Sequence, residues 1–415
     1  MALIVQKYGG SSLADSHKIR NVARRIAAAH DRGDRVVAVV SAMGDTTDEL
    51  IALAKSVTPH PDAREMDTLL STGELVSCTL VALALRAMCM KAVSLSGAQA
   101  GIRTDARHGK AKIASVDPTR VLAELKKGNI VVVAGFQGIT GDADVTTLGR
   151  GGSDTTAVAL AAGVGAARCE IYTDVDGIFT ADPRLVPKAR RLDELGYEEM
   201  LEMASYGAKM QPRSIEMAWT YRMPVLVASS FVEGPGTLIH EGAKMAARSG
   251  KRKVGEIRKR VRGIPVDKNV AQITLLGMKD RPGLAASLFE PLAEAGIGVD
   301  VIVSPVGVGG TTDFSFTVKR TDLAAALKVV EPAAKKMGCR GVVKADNLAK
   351  VSIVGSGLLD EPGYAAKMFR TMADANINIE VITTSDIRIT CVVSEAKVRE
   401  AAQALHDAFE LDRHD

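Results

Sequence analysis

A chain of 415 residues with 47% hydrophobic side chains is long enough for two or three domains and more than one buried core. The net charge is only +4, and 241–262 alone holds nine Lys and Arg against two Glu, so that stretch carries +7 and the remainder 4 − 7 = −3. With no aromatic side chain interleaved, the basic stretch reads as a solvated linker, and neither nucleic acid nor a membrane is an expected partner.

The start Met1-Ala2-Leu3-Ile4-Val5 is interrupted by Gln6-Lys7, too early for a signal peptide. Arg86 breaks the longest apolar run, Cys78 to Met90, so no membrane-length segment is expected. The five cysteines are scattered and never spaced as CxxC, which points to a reducing cytoplasm without disulfides or zinc. The seven histidines lack metal-ligand spacing, and solvated or packing roles are expected for them.

Short apolar runs at 3–5, 36–40, 130–134, 170–173 and 225–228 suit strands buried on both faces. Between the first two, Ile19, Val22, Ile26 and Ala29 recur at helical spacing, with Asp15 or Ser16 as N-cap and Gly33 as a stop. The alternation predicts an α/β fold, a mostly parallel sheet sandwiched by helices. Ligand loops then belong beyond the strands' carboxyl ends, where Gly9-Gly10, Ser41, Gly135 and Asp174 fall.

Leu148-Gly149-Arg150-Gly151-Gly152-Ser153-Asp154-Thr155-Thr156 is the run richest in chemistry. Its glycines let backbone N–H groups approach a ligand, Ser153 or Asp154 can cap the following helix, and Arg150 offers a planar fork for carboxylate or phosphate. There is no GxxxxGK[ST], and Gly163-Val164-Gly165 ends a helix pattern rather than opening one, so P-loop and dinucleotide sites are excluded. Asp174-Val175-Asp176-Gly177 lacks the downstream ligands of a calcium loop. Taken alone, Glu74 reads equally as a binding anion or as a surface residue near a helix start capped by Thr72.

From about residue 266 the chain repeats with a period of 80: Pro282-Gly283 matches Pro362-Gly363, Phe289 matches Phe369, Ile297 matches Ile377 and Val301-Ile302 matches Val381-Ile382. Two copies of one small unit are expected, each with a strand, a Pro-Gly turn, a helix and another strand.

The long glycine run, Lys7-Tyr8-Gly9-Gly10-Ser11-Ser12, Leu70-Ser71-Thr72-Gly73-Glu74, Gly135-Phe136-Gln137-Gly138 and the run from Tyr172 to Arg184 together resemble the aspartate kinase family, across essentially the whole chain. The resemblance implies an amino-acid kinase fold over 1–242, a basic linker and possible strand over 243–265, and two α+β, ferredoxin-like ACT domains over 266–340 and 341–415. It implies transfer of the ATP γ-phosphate to the β-carboxylate of L-aspartate, with Mg²⁺ accompanying ATP and no protein metal ligand assigned. Lys7, Glu74 and Asp154 are then catalytic; Ser41, Thr47, Glu74, Arg150, Gly151 and Ser153 hold aspartate, Glu74 taking the α-ammonium and Arg150 the α-carboxylate. Lys7, Tyr8, Gly9, Gly10, Tyr172, Thr173, Asp174, Phe179, Thr180, Asp182, Pro183, Arg184 and Lys209 bind ATP. No general base is required, because a carboxylate of pKa about 3.9 is already ionised near neutrality.

ACT units bind amino acids at interfaces, so lysine or threonine is the expected effector, near Asp280, Ala285, Ser304, Pro362 and Asp386, in a homodimer paired through these units. In parts of the family an internal start yields a shorter regulatory subunit, and Met245 is the position where one could lie here, which the sequence leaves open. Two departures from the family stand out. Only Met210 separates Lys209 from Gln211-Pro212-Arg213, one residue fewer than usual, which puts the register of the next helix and the place of Lys209 in question. Ser304-Pro305 replaces the usual Gln-Asn, which predicts weak effector binding by the first copy. The rival readings are another amino-acid kinase, of glutamate or acetylglutamate type, and a catalytically inactive amino-acid sensor.

Overall fold

The computed structural model describes residues 2–241, 261–279, 281–304, 311–358 and 363–413. The chain forms two units: Met1–Phe179 with Arg191–Ser205 and Lys209–Glu256, and Thr180–Arg190 with Tyr206–Ala208 and Ile257–Asp415. The division is not one cut: 180–190 and 206–208, which lie within the expected catalytic segment, group with the second unit.

The first unit opens with β1 (Leu3–Tyr8), α1 (Ser16–Asp31) and β2 (Arg35–Val40). Strand β1 runs past the expected break at Gln6-Lys7 and is buried along its length. Glu170 on a neighbouring strand makes this possible: its Oε2 accepts from Gln6 Nε2 at 2.8 Å and from the Tyr172 hydroxyl at 3.0 Å, and the Tyr8 hydroxyl donates to Gln6 Oε1 at 3.1 Å. Buried polar groups persist where such partners exist. Helix α1 follows the sequence pattern, with Asp15 as N-cap accepting from Lys18 N at 2.9 Å.

Next come α2 (Thr46–Val57), α3 (Ala63–Ala87), β3 (Ala92–Leu95), β4 (Ile102–Thr104), β5 (Ile113–Val116), α4 (Thr119–Lys126), β6 (Ile130–Ala134), β7 (Gln137–Ile139) and β8 (Val145–Thr147). Helix α3 corrects two expectations. Its N-cap is Asp62, so Glu74 lies in mid-helix rather than near a start capped by Thr72. It is also long and apolar enough, by length and composition, to cross a membrane. Cys78, Val81, Ala82 and Leu85 instead fill the core with Ile4, Tyr8, Ile26 and Val132, as in the central helix of a globular fold.

The unit closes with α5 (Gly152–Val164), β9 (Arg168–Thr173), β10 (Glu194–Gly196), α6 (Tyr197–Ser205), α7 (Pro212–Thr220), β11 (Val225–Ser229) and β12 (Thr237–His240). The main sheet has the order β10-β12-β11-β9-β1-β2-β6-β3, all parallel except the β11/β12 pair. A small sheet, β5-β4-β7-β8, lies apart from it. Strand β1 pairs with β2 on one side and β9 on the other, so the winding reverses at β1, the switch point beyond whose carboxyl end such folds form their binding crevice.

The second unit contains β13 (Val266–Lys279), α8 (Leu284–Glu294), β14 (Val299–Val303), β15 (Thr311–Val318), α9 (Leu323–Met337), β16 (Gly341–Val354), α10 (Tyr364–Asp374), β17 (Val381–Ser385), β18 (Arg388–Ser394) and α11 (Val398–Ala408). The repeat is real in three dimensions, and each copy is fuller than its sequence predicts, with a third strand and a second helix. The copies join through antiparallel β13 and β16 into one sheet, β14-β15-β13-β16-β18-β17. Within this unit 180–190 is strapped down: Thr180 N donates to Arg190 O, Ile264 N donates to Thr180 O, and Thr180 Oγ1 lies 2.9 Å from Nε2 of buried His406.

Candidate active site

The crevice residues come from the ends of β1 and β2, the middle of α3 and the first turn of α5. On β1, Lys7 is 9% exposed and its Nζ lies 2.7 Å from Asp154 Oδ1 in the first turn of α5. After β1, Gly10 is required by space: a Cβ there would come 2.8 Å from Ala42 O. On α3, Glu74 is 3% exposed; Oε1 accepts from Ala42 N at 3.1 Å, and Oε2 has no hydrogen-bond partner among the described residues. Burial pushes its carboxyl up to about 7, against the pull of the Ala42 N–H. Ser41, half-buried after β2, accepts at its carbonyl from Ser77 Oγ at 2.7 Å.

Helix α5 begins without the expected side-chain cap. Its N-cap is Gly151 at φ 71°, and Ser153 and Asp154 lie inside the first turn. The left-handed turn leaves no room for a β-carbon, since one at Gly151 would meet the Gln211 side chain at 2.7 Å. The backbone of this loop is held on both sides. Arg213 Nη1 donates to Leu148 O at 2.8 Å, and Gln211 Nε2 donates to Arg150 O. The Arg150 side chain is the opposite: 96% exposed, its ion-pair partner among the described residues being Asp48 on α2 at 3.8 Å, next to half-buried Thr47. Arg150 and Glu74, expected as a pair around one substrate, make no contact with each other among those described here.

Residues expected at the nucleotide divide in three. Asp174, beyond β9, pairs with Lys209 at 2.6 Å, which holds its carboxyl below the usual range. The shortened 209–213 stretch therefore still delivers Lys209 to Asp174, with Gln211 as N-cap of α7 and Pro212 in its first turn. Tyr8 is fully buried, its ring stacks on that of half-buried Tyr172 at 5.1 Å, and the Arg25 guanidinium covers Tyr172 at 4.5 Å. Thr180 is also buried, in the second unit. Asp182 and Arg184 belong to that unit too and bond to each other at 2.6 Å.

Of the expected effector residues, Ala285, Ser304 and Asp386 are exposed, while Asp280, Pro305 and Pro362 lie outside the described residues, as does most of the basic segment with Met245. Sequence reasoning missed Asp67, His108, Gln211 and Arg213, which brace the glycine loop. His108, expected to be solvated or packed, lies 3.0 Å from Asp67 Oδ2. Among the described residues no group of three or more His, Cys, Asp or Glu side chains is placed to hold a metal.

Residues 2–229 match the amino acid kinase family, and 273–333 and 351–409 match an ACT domain. Together with the sheet order and crevice, this defines a small-molecule kinase carrying paired ACT units. The chain is 47% identical to the aspartokinase of Corynebacterium glutamicum, over 100% of this chain and 98% of that one, and 47% identical to the aspartokinase of Thermus thermophilus, over 100% of both. The crystal structure of E. coli aspartokinase III with aspartate and ADP superposes with a TM-score of 0.80 at 26% identity, covering 98% of this chain and 99% of that one. The chain belongs to the aspartokinase family.

Proposed function

We propose that the chain transfers the γ-phosphoryl group of ATP to the β-carboxylate of L-aspartate, giving 4-phospho-L-aspartate, the first step toward lysine, threonine, methionine and diaminopimelate. The observation that carries the reading is Glu74, a buried carboxyl with one oxygen satisfied by Ala42 N–H and the other without a partner. Such a group is stabilised by an incoming ammonium, and an α-amino acid brings one. Arg150, on a fixed backbone with a solvent-exposed guanidinium, takes the α-carboxylate, and the β-carboxylate is left to attack phosphorus.

Phosphoryl transfer needs alignment and positive charge around the migrating group more than proton transfer. Lys7 supplies that charge at the end of β1, and Asp154 orients its ammonium. Asp174 and Lys209 hold the nucleotide beyond β9. Mg²⁺ accompanying ATP would supply positive charge to offset that of the phosphates. Asp154, beside Lys7 in the first turn of α5, is the acidic residue that would face such an ion. Hydroxamate trapping of the product with L-aspartate and with L-glutamate tests the substrate assignment; equal rates would overturn it.

Lysine, threonine or both regulate through the ACT units. Aspartokinase III of E. coli has been solved with lysine and aspartate in its T-state, with a TM-score of 0.74 and 25% identity to this chain. Homodimerisation through the same units is supported by Ile302 and Ile382, at repeated positions on the edge strands β14 and β17, which remain 50% and 47% exposed. A cytoplasmic location accords with five free cysteines.

A further inference from the structure

Asp67 lies about two helical turns before Glu74 on α3 and is fully buried. Its carboxylate joins two distant chain segments, the end of β8 and the 108–109 turn. Oδ1 accepts from Thr147 Oγ1 at 2.5 Å, both oxygens accept from Gly109 N at 3.0 and 2.9 Å, and Oδ2 faces His108 Nδ1 at 3.0 Å. Thr147 ends β8, immediately before the glycine loop. The 108–112 turn is itself fastened to that strand end: Ala111 N donates to Thr147 O at 2.9 Å, and Arg213 bridges Ala111 O and Leu148 O at 3.0 and 2.8 Å. The turn also packs on the loop, since a Cβ on Gly149 would meet Gly109 O at 3.1 Å.

Arg150 extends from this loop with its side chain almost wholly in solvent, so packing around the side chain does not decide where its guanidinium starts. The backbone decides it, and a misplacement of about 1 Å at a binding group is enough to cost roughly 10² in rate. Charge-assisted bonds to a buried carboxylate are the strong and directional kind, and they rigidify when fully satisfied. We propose that Asp67 is a positioning residue for the aspartate site: through Thr147 and the 108–109 turn it fixes the strand end from which the Arg150 loop departs. The inference rests on the reading of Arg150 as the aspartate-binding cation.

The test is a double-mutant cycle on the full-length chain, with aspartate and ATP KM and kcat measured for Asp67→Ala, Thr147→Val, Thr147→Ser and Arg150→Ala, singly and with Arg150→Ala as background. Expected results are an aspartate KM raised roughly tenfold by Asp67→Ala and Thr147→Val, with ATP KM within about twofold and Thr147→Ser near wild type. In the Arg150→Ala background the same changes add little, because the group they position is gone. Equal effects on both substrates, or undiminished effects in that background, would overturn the proposal. Thr147→Val removes one bond and keeps the buried carboxylate's other donors, so it decides the matter if Asp67→Ala fails to fold. If Arg150→Ala itself leaves aspartate KM unchanged, the site reading fails first and the inference with it; a large Arg150 effect beside silent Asp67 and Thr147 variants rejects the inference alone.

Discussion

The ammonium of Lys7 sits 2.7 Å from the carboxylate of Asp154, joining the end of the central strand to the first turn of α5. The pair is nearly buried, at 11% and 13% side-chain exposure, so it fixes the direction of the only charge β1 brings to the crevice.

Lys7→Ala should lower kcat by on the order of 10² or more with a smaller change in aspartate KM, as for an interaction strongest in the transition state. Steady-state kinetics checks this, and a variant with near-normal kcat would remove Lys7 from the mechanism.

Arg150→Ala should reduce kcat/KM for aspartate by roughly 10² or more, as expected if bound substrate shields the exposed guanidinium and its paired α-carboxylate from solvent. ATP affinity, read by equilibrium titration, should hardly change. Loss of nucleotide binding with normal aspartate saturation would assign Arg150 elsewhere.

Glu74 makes aspartate binding sensitive to pH. Its carboxyl, pushed up to about 7 in the free protein, must be ionised to pair with the α-ammonium, so aspartate KM should fall as pH rises through that value and then level off. For stability the sign is opposite: the native state holds the proton more tightly than the unfolded chain, so ionisation costs stability as pH climbs from 4.5 to about 7. Glu74→Gln should abolish the first dependence and, in thermal melts, gain on the unmodified chain over the same interval.

Lys209→Met should separate affinity from stability. With 45% and 43% side-chain exposure, the Lys209–Asp174 pair is worth only about 0 to 1 kcal/mol to folding, so Tm should move little. ATP KM should nevertheless rise roughly tenfold. An unchanged ATP KM would show that the pair has no part in nucleotide binding.

The parallel sheet, helix α1 and the 80-residue repeat were legible because each depends on local patterning: β-branched runs, apolar residues at helical spacing, a constant offset. The strand through Gln6 and Lys7 was not, because the partner that lets Gln6 be buried, Glu170, is far along the chain. The N-cap of α5 was misread for a related reason. Ser153 and Asp154 are good capping residues, but the close approach of Gln211 demands a left-handed glycine at 151 and starts the helix earlier. Candidate site residues carried by motifs were visible; Asp67 and His108, which act through distant backbone, had no local signature.

The strap at 180–190 bears on how this polypeptide can be cut. A fragment ending at 242, the catalytic limit that the family resemblance implies, would keep Thr180 and Arg190 while discarding Ile264, His406 and the Leu411 carbonyl that accepts from Arg190 Nε. Inside the fragment a buried hydroxyl and main-chain groups would lose their acceptors and donors, and apolar Ala181 and Val186 would lose the cluster they share with Val351, Leu405 and Phe409. A freestanding catalytic half is therefore not obtained by deletion alone: the stretch that runs through Asp182 and Arg184 would need new side chains or a replacement surface before it could hold its shape.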